Sequence, residues 1–139
     1  MQAVIWWCAL ANSSLISIVD DDPSIREATM SLLEAYGYKA AAFASAEAFL
    51  GSEQLAHTSC LVTDVRMTGL SGLELLRHLL NVGYRIPAIV VTAHPEAHVR
   101  TTALDLGVRC FLTKPVREES LISCLEGALN GHSIEPAEH

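Results

Sequence analysis

Several polar residues suited to phosphate and metal chemistry come directly after short apolar runs in this 139-residue sequence. The aspartate run 20–22 follows the first apolar run, and Asp64 follows a later one. Thr92 closes a third run, and Lys114 comes just after a fourth. Carboxylate oxygens are ligands for hard divalent cations, while a hydroxyl and an ammonium group can hold phosphoryl oxygens. These residue types point to chemistry on a phosphoryl group.

A cluster of Asp20, Asp21 and Asp64 would favour a bound cation, because carboxylates that are packed together repel one another. Ligands that are all oxygen suit Mg²⁺ or Mn²⁺ better than zinc. A carboxylate beside such an ion can attack phosphorus and hold the phosphoryl group as an acyl phosphate. Thr92 and Lys114 would then supply the hydrogen bonds and the positive charge that the transferred oxygens need.

Each of these residues, taken singly, also has an ordinary structural explanation. The aspartate run could cap a helix that starts at Pro23, since Asp is favoured at the N-cap. Asp64 could simply end a strand, and Thr92 is a β-branched residue of the kind that strands contain. The joint occurrence of these residues after successive apolar runs favours a functional site over separate structural roles.

The apolar pattern predicts the elements that would position these residues. Strands are predicted at residues 15–19, 38–43, 60–63, 86–92 and 108–112. Helices are predicted at residues 23–37, 45–55, 73–83, 99–107 and 121–131, with Asp22 as the N-cap of the first. Five strands alternating with five helices indicate an α/β fold with a doubly wound parallel sheet. Such sheets bind ligands at the carboxyl ends of their strands, where the polar residues lie.

Composition limits the class of protein. The net charge of −7 makes nucleic acid an unfavourable direct ligand, and half of the residues are hydrophobic, which suits one packed domain. The four cysteines are widely spaced, so we expect neither a zinc site nor a disulfide framework. Cys60 and Cys110 lie in predicted strands and are expected to act as small hydrophobic residues. This use of cysteine favours a reducing, cytoplasmic compartment.

The two ends of the chain differ from its middle. Residues 1–14 form an apolar extension of unclear role that contains both tryptophans, Trp6 and Trp7. No basic residue precedes Arg26 and the apolar run is short, so neither a secretion signal nor a membrane span is expected. Residues 15–131 form the predicted domain, and residues 132–139 form a polar tail or linker.

Four segments, at residues 18–22, 62–64, 91–93 and 114–115, resemble the signature of response-regulator receiver (CheY-like) domains in order and spacing. The resemblance covers roughly residues 15–129. It implies the flavodoxin-like strand order 2-1-3-4-5, and a phosphorylation switch rather than an enzyme, although such a switch assists its own phosphoryl transfer and dephosphorylation. It also implies Mg²⁺ or Mn²⁺ as cofactor.

The resemblance assigns roles to individual residues. They are Asp64 as phosphoacceptor, Asp20, Asp21 and the backbone carbonyl of Arg66 as further metal ligands, Thr92 and Lys114 as the pair that senses the phosphoryl group, and Phe111 as the switch aromatic. The implied partners are a sensor histidine kinase and, after phosphorylation, a second copy of the domain. The implied dimer face consists of the fourth helix, fifth strand and fifth helix, within residues 95–130.

Residues 45–50 and 65–67 resemble the FixJ-like branch of receivers in particular, which usually carries a helix-turn-helix output domain. We expect no room for such a domain after residue 131, so the sequence is a stand-alone receiver or, as we favour, part of a longer regulator. Thr68 departs from the family, which commonly has proline after the methionine. Thr68 has the backbone N–H donor that proline lacks, and it lacks the ring by which proline makes a loop rigid. Arg66 and His94 flank the site, where they are expected to tune dephosphorylation.

Two other classes of protein compete with this interpretation. Phosphatases of the haloacid-dehalogenase kind carry a second aspartate two positions after the nucleophile, but here that position is Arg66. Flavin- or nucleotide-binding α/β modules need a loop rich in Gly, Ser or Thr after the first strand. The aspartate run 20–22 would repel phosphate without a metal. Neither rival explains all of the strand-end residues.

Overall fold

The computed structural model describes residues 14–130, so the extension with Trp6 and Trp7, Cys8 and the polar tail lie outside the described residues. The strands are β1 (Leu15–Val19), β2 (Lys39–Phe43), β3 (Thr58–Asp64), β4 (Ala88–Thr92) and β5 (Cys110–Thr113). The α-helices are α1 (Pro23–Ala35), α2 (Ala46–Leu50), α3 (Gly72–Asn81), α4 (Ala97–Asp105) and α5 (Glu118–Leu129). Within residues 14–130, no helix has the length and apolar character needed to cross a bilayer.

The five strands form one sheet in the order β2-β1-β3-β4-β5, and every neighbouring pair is parallel. The predicted fold class and strand order are therefore confirmed. The order reverses direction between β1 and β3, which is the switch point at which α/β sheets bind ligands. Because all strands run the same way, their carboxyl ends meet along one edge of the sheet.

The sheet separates two apolar cores. One core packs α1 and α5 against the sheet and includes Ile18, Val62 and Leu125. The other packs α2, α3 and α4 on the opposite face and includes Phe49 and Leu75. Strands that are covered on both faces read as continuous apolar runs, which is the pattern that the sequence displays. Because helices pack on both faces of the sheet, the ends of the strands are held from both sides.

Helix caps near the site are built from side chains that the sequence places there. Asp22 accepts hydrogen bonds from the backbone N–H groups of Ser24 (2.9 Å) and Ile25 (3.3 Å), so it caps α1 as predicted. At α3, Ser71 and Glu74 form a reciprocal capping box at the end of the loop that follows Asp64. These caps fix where the helices start beside the sheet edge.

The prediction of one helix over residues 45–55 is wrong. The helix α2 ends at Leu50, and a separate 3-10 helix, Glu53–His57, follows it. Gly51 is the C-cap of α2, and the hydroxyl of Ser52 donates to the Phe49 carbonyl at 2.9 Å. That hydroxyl satisfies a carbonyl that a longer helix would have bonded, and the chain turns before β3.

The expectation that the cysteines form no disulfide is also wrong for one pair. The structure pairs Cys110 of β5 with Cys124 of α5 in a disulfide, with Cα atoms 6.2 Å apart. Cys60 behaves as predicted: it is a free, fully buried thiol, and burial raises its pKa to about 12. The disulfide at Cys110 therefore weakens the sequence argument for a reducing compartment. The spacing of the cysteines did not predict this pair, because spacing along the chain does not show that α5 packs over β5.

Candidate functional site

The polar residues singled out in the sequence lie together at the carboxyl edge of the sheet. Asp20 follows β1, Asp64 ends β3, Thr92 ends β4, and Lys114 follows β5. Asp20, Asp64 and Thr92 are almost completely buried, with exposed fractions of 5%, 9% and 1%. Burial of this degree is unusual for carboxylates that have no partner, so the contacts within this group decide what it can do.

The ammonium group of Lys114 joins the two buried carboxylates. Its Nζ donates to Asp64 Oδ2 at 2.9 Å and to Asp20 Oδ2 at 3.1 Å. Burial alone lowers the pKa of Lys114, but the hydrogen bonds to Asp64 and Asp20 and the charges of these groups outweigh it, so the pKa is raised above 10.5. Lys114 is therefore a cation at neutral pH. The Lys114–Pro115 peptide bond is cis.

Backbone groups hold the same two carboxylates from the other side. The N–H of Val65 donates to Asp64 Oδ1 at 2.7 Å, and the N–H of Asp22 donates to Asp20 Oδ1 at 2.9 Å. Arg26 on α1 donates to the backbone carbonyl of Asp20 at 2.7 Å. Each carboxylate thus has one oxygen bound to the backbone and one to Lys114, an arrangement that fixes the orientation of both.

The aspartate run divides between two roles. Asp22 caps α1, whereas Asp20 and Asp21 belong to the site. Asp21 is exposed, and its Oδ2 accepts a hydrogen bond from the backbone N–H of Thr68 at 3.2 Å. The structural explanation, in which the aspartates cap a helix, therefore holds for Asp22 but not for Asp20 or Asp21.

Three carboxylates of the site lie close enough together to hold a divalent metal. Asp20, Asp21 and Asp64 each offer a carboxylate oxygen, and these oxygens lie within 4.8 Å of one another. Oxygen donors at this spacing, one of them exposed, fit an octahedral cation such as Mg²⁺ that keeps some of its waters. Lys114 contacts two of the same carboxylates, so a positive charge lies beside this group of oxygens.

The other residues predicted for the site are Thr92, Phe111 and Arg66. The hydroxyl of Thr92 accepts the backbone N–H of His94 at 3.0 Å, and the N–H of Lys114 donates to the Thr92 carbonyl at 2.8 Å. Phe111 is 1% exposed and packs in the α2–α3–α4 core, with the guanidinium carbon of Arg100 5.5 Å from its ring centroid. Arg66 is exposed, and its side chain forms an ion pair with Glu96 at 2.7 Å.

Two residues at the site were missed in the sequence. A Cβ atom on Gly72 would lie 1.9 Å from the backbone carbonyl oxygen of Asp64, so only glycine lets α3 start this close to the phosphoacceptor candidate. Glu47 of α2 accepts the backbone N–H of Leu70 at 3.1 Å. The sequence assigned no role in the site to either residue, and nothing in their spacing signalled these contacts.

An apolar cavity lies beneath the charged group, between the sheet, α1 and α5. Its volume is about 520 Å³, and its walls include Ile25, Val91 and Leu121. Asp20, Asp64 and Lys114 border the same cavity. The charged group therefore has an apolar wall on one side, which strengthens electrostatic interactions within it relative to those in water.

Comparisons with known proteins agree with this geometry. The model of the response regulator receiver domain family matches residues 16–126. The chain is 40% identical over 116 residues to the response regulator protein TmoT of Ectopseudomonas mendocina, covering 84% of this chain and 53% of that protein. It is 38% identical over 120 residues to the transcriptional regulatory protein FixJ of Azorhizobium caulinodans, covering 86% and 56% respectively.

A solved structure is similar as well. The crystal structure of FixJ-N aligns with a TM-score of 0.78 at 34% identity, covering 85% of this chain and 94% of that chain. The chain spans about half the length of the curated relatives it matches. The family match includes every strand-end residue described above. The chain belongs to the response regulator receiver domain family of two-component signalling systems.

Proposed function

We propose that this domain accepts a phosphoryl group on the carboxylate of Asp64 and thereby changes its contacts with a partner. The observation that carries the proposal is the placement of Asp64 beside Lys114 and the acidic pair Asp20 and Asp21 at the switch point of the sheet. A carboxylate held beside a fixed cation can approach phosphorus without the full repulsion that two anions would experience.

The chemistry is a displacement at phosphorus. A carboxylate oxygen of Asp64 forms a bond to the phosphorus of a phosphohistidine, the P–N bond breaks, and its electron pair stays on the imidazole. The product is an acyl phosphate. Lys114 and the hydroxyl of Thr92 donate hydrogen bonds to the phosphoryl oxygens, which requires the Thr92 hydroxyl hydrogen to turn toward them.

Asp20, Asp21, Asp64 and the backbone carbonyl of Arg66 would hold Mg²⁺ or Mn²⁺. The cation, when bound, supplies charge that offsets the negative oxygens brought together during transfer. The exposed Asp21 lies on the solvent side of the cluster and the buried Asp20 on the protein side. The domain is a signalling switch rather than a classical enzyme; that it also assists loss of its own phosphoryl group is part of the proposal.

The partners follow from the same proposal. The donor is a sensor histidine kinase in the cytoplasm, and the response is passed through the face formed by α4, β5 and α5 to an output domain or to a second copy of the domain.

Phe111 is already buried in the core. In the proposed response, Thr92 moves toward the phosphoryl group and Phe111 fills the space that Thr92 vacates beside β4. Arg66 and His94, beside the site, are proposed to tune the rate of dephosphorylation.

Acetyl phosphate with Mg²⁺ tests the phosphoacceptor. Intact-mass measurement should find one added phosphoryl group, about 80 Da, that hydroxylamine removes. Asp64→Asn keeps the shape of the side chain without the nucleophilic carboxylate, and it should not be labelled. Asp22→Asn is the matched control, since asparagine also caps a helix well and Asp22 lies outside the cluster. Labelling of Asp64→Asn at the wild-type rate would move the phosphoacceptor to another residue.

A further inference from the structure

The loop between β3 and α3, residues 65–71, is held by carboxylates from two distant elements. The backbone N–H of Thr68 donates to Oδ2 of Asp21 at 3.2 Å, across a sequence separation of 47. The N–H of Leu70 donates to Oε2 of Glu47 at 3.1 Å, across a separation of 23. The loop that follows Asp64 is thus tied both to the acidic run and to α2.

The first of these contacts depends on the backbone and not on the side chain. Any residue with a backbone N–H can make it, whereas proline, which has none, cannot. The second contact holds the loop in place from the other end. At Gly69, where φ is +85°, a Cβ atom would lie 2.6 Å from Oε2 of Glu47. Glycine therefore allows Glu47 to come close enough to hold the segment that carries the Thr68 amide.

Asp21 is the member of the cluster that most needs such a contact. Asp20 and Asp64 are buried and each is fixed by Lys114 and a backbone amide, but Asp21 is exposed. An exposed carboxylate loses rotational freedom when it binds an ion, and that loss weakens binding. The bond from Thr68 uses only one carboxylate oxygen of Asp21, which leaves the other for a cation.

We propose that the backbone amide of Thr68 is a positioning group that orients Asp21 for the divalent cation, an inference that rests on the metal site of the proposed function. Hydrogen-bond partners of ligating carboxylates commonly change metal affinity by about 10–100-fold. The amide fixes the rotamer of Asp21 before the ion arrives. The side chain of Thr68 has no part in this role.

Mn²⁺ provides a probe that does not depend on phosphorylation. Free Mn²⁺ is titrated into the protein and followed by electron paramagnetic resonance for the wild type, Thr68→Ala and Thr68→Pro. Thr68→Ala keeps the amide and should bind like the wild type, while Thr68→Pro should bind about tenfold more weakly. A Thr68 ester analogue, in which oxygen replaces the backbone N–H, removes the donor without the ring of proline and should reproduce the loss.

A second readout separates positioning from general damage to the loop. The Mg²⁺ concentration that gives half-maximal phosphorylation by acetyl phosphate should rise about tenfold in the ester analogue. Its rate at saturating Mg²⁺ should equal that of the wild type. Equal Mn²⁺ affinity in the wild type and the ester analogue overturns the positioning role and leaves the metal site intact. If the wild type itself binds no Mn²⁺, the metal site of the proposed function is wrong, and this inference is wrong with it.

Discussion

Lys114 is the residue on which the charge balance of the site depends. Its ammonium contacts two carboxylates that have exposed fractions of only 5% and 9%. Removing one partner from a mostly buried ionic group lowers the free energy of unfolding by more than the whole group contributed to it, because the remaining charges stay buried without compensation. The same contacts raise the pKa of Lys114 above 10.5, so the positive charge persists over the whole physiological pH range.

We predict that Lys114→Met lowers the free energy of unfolding of the metal-free protein by about 2–4 kcal/mol near neutral pH. Because the folded pKa of Lys114 is raised, its contribution to stability is complete below the ordinary value of 10.5 and is lost as the pH rises through the folded pKa. Urea denaturation of both proteins in EDTA should give a constant difference up to about pH 9.5, which narrows above pH 10.5. A difference in the free energy of unfolding that grows with rising pH would contradict the raised pKa of Lys114.

Gly72 permits the close approach of α3 to the backbone of Asp64. We predict that Gly72→Ala lowers the free energy of unfolding by about 2–4 kcal/mol, because its Cβ must displace the Asp64 carbonyl. The displaced backbone should also slow phosphorylation by acetyl phosphate. Gly51→Ala is the matched control: its Cβ would have ordinary contact, with its nearest neighbour at 3.5 Å, and should change stability by less than about 0.5 kcal/mol. Equal effects of the two substitutions in urea denaturation would exclude the steric explanation.

At the scale of elements, α4 is the least firmly held of the three elements in the proposed response face. Its N-cap residue, Glu96, makes no side-chain capping hydrogen bond, and only Val99 and Ala103 of this helix are buried. By contrast, α5 buries six residues and carries Cys124 of the disulfide to β5. Of the elements in the proposed response face, β5 and α5 are therefore firmly joined, and α4 has the fewest buried contacts to lose.

We predict that a beryllofluoride mimic of the phosphoryl group, with Mg²⁺, increases self-association through α4, β5 and α5. Thr92→Ala should still accept phosphate on Asp64 but lose most of this response, because the hydroxyl that turns toward the phosphoryl group is absent. Thr92→Ser keeps the hydroxyl and should retain the response. Sedimentation velocity at several concentrations measures the association. An unchanged monomer in the wild type, with no change in hydrogen exchange over residues 95–130, would rule out the switch through this face.

At the scale of the whole molecule, the proposed metal binding is coupled to folding. The chain has a net charge of −7, and its site brings three carboxylates together only in the folded state. A cation that binds the folded protein alone stabilises it by mass action. Global stability therefore reports on the site even where no phosphorylation takes place.

We predict that Mg²⁺ at about one hundred times its dissociation constant raises the free energy of unfolding by about 2.7 kcal/mol relative to EDTA. For a domain of this size the shift in Tm is several degrees, which differential scanning calorimetry resolves readily. Asp21→Ala removes an exposed carboxylate that is a proposed metal ligand, with little effect on packing, and the Tm of this variant should respond much less to Mg²⁺. Identical melting of the wild type in EDTA and in Mg²⁺ would show that the acidic cluster does not bind the ion.

The sequence by itself determined the sheet and the group of residues at its edge. Apolar runs that end in Asp20, Asp64 and Thr92 predict buried parallel strands, and parallel strands bring their carboxyl ends to one edge. Lys114 follows the last strand and joins the group for the same reason. The alternation with helices predicts parallel strands whose carboxyl ends share one edge, and the resemblance to receiver domains supplied the strand order.

Only the tertiary structure decided which contacts these residues make. It showed that Asp21 accepts a hydrogen bond from the backbone amide of Thr68, and it brought Gly72 against Asp64. It also paired Cys110 with Cys124, against the expectation from their spacing. The physical reason is the same in each case. Local pattern encodes which face of an element is buried, but not which residue of another element packs against it.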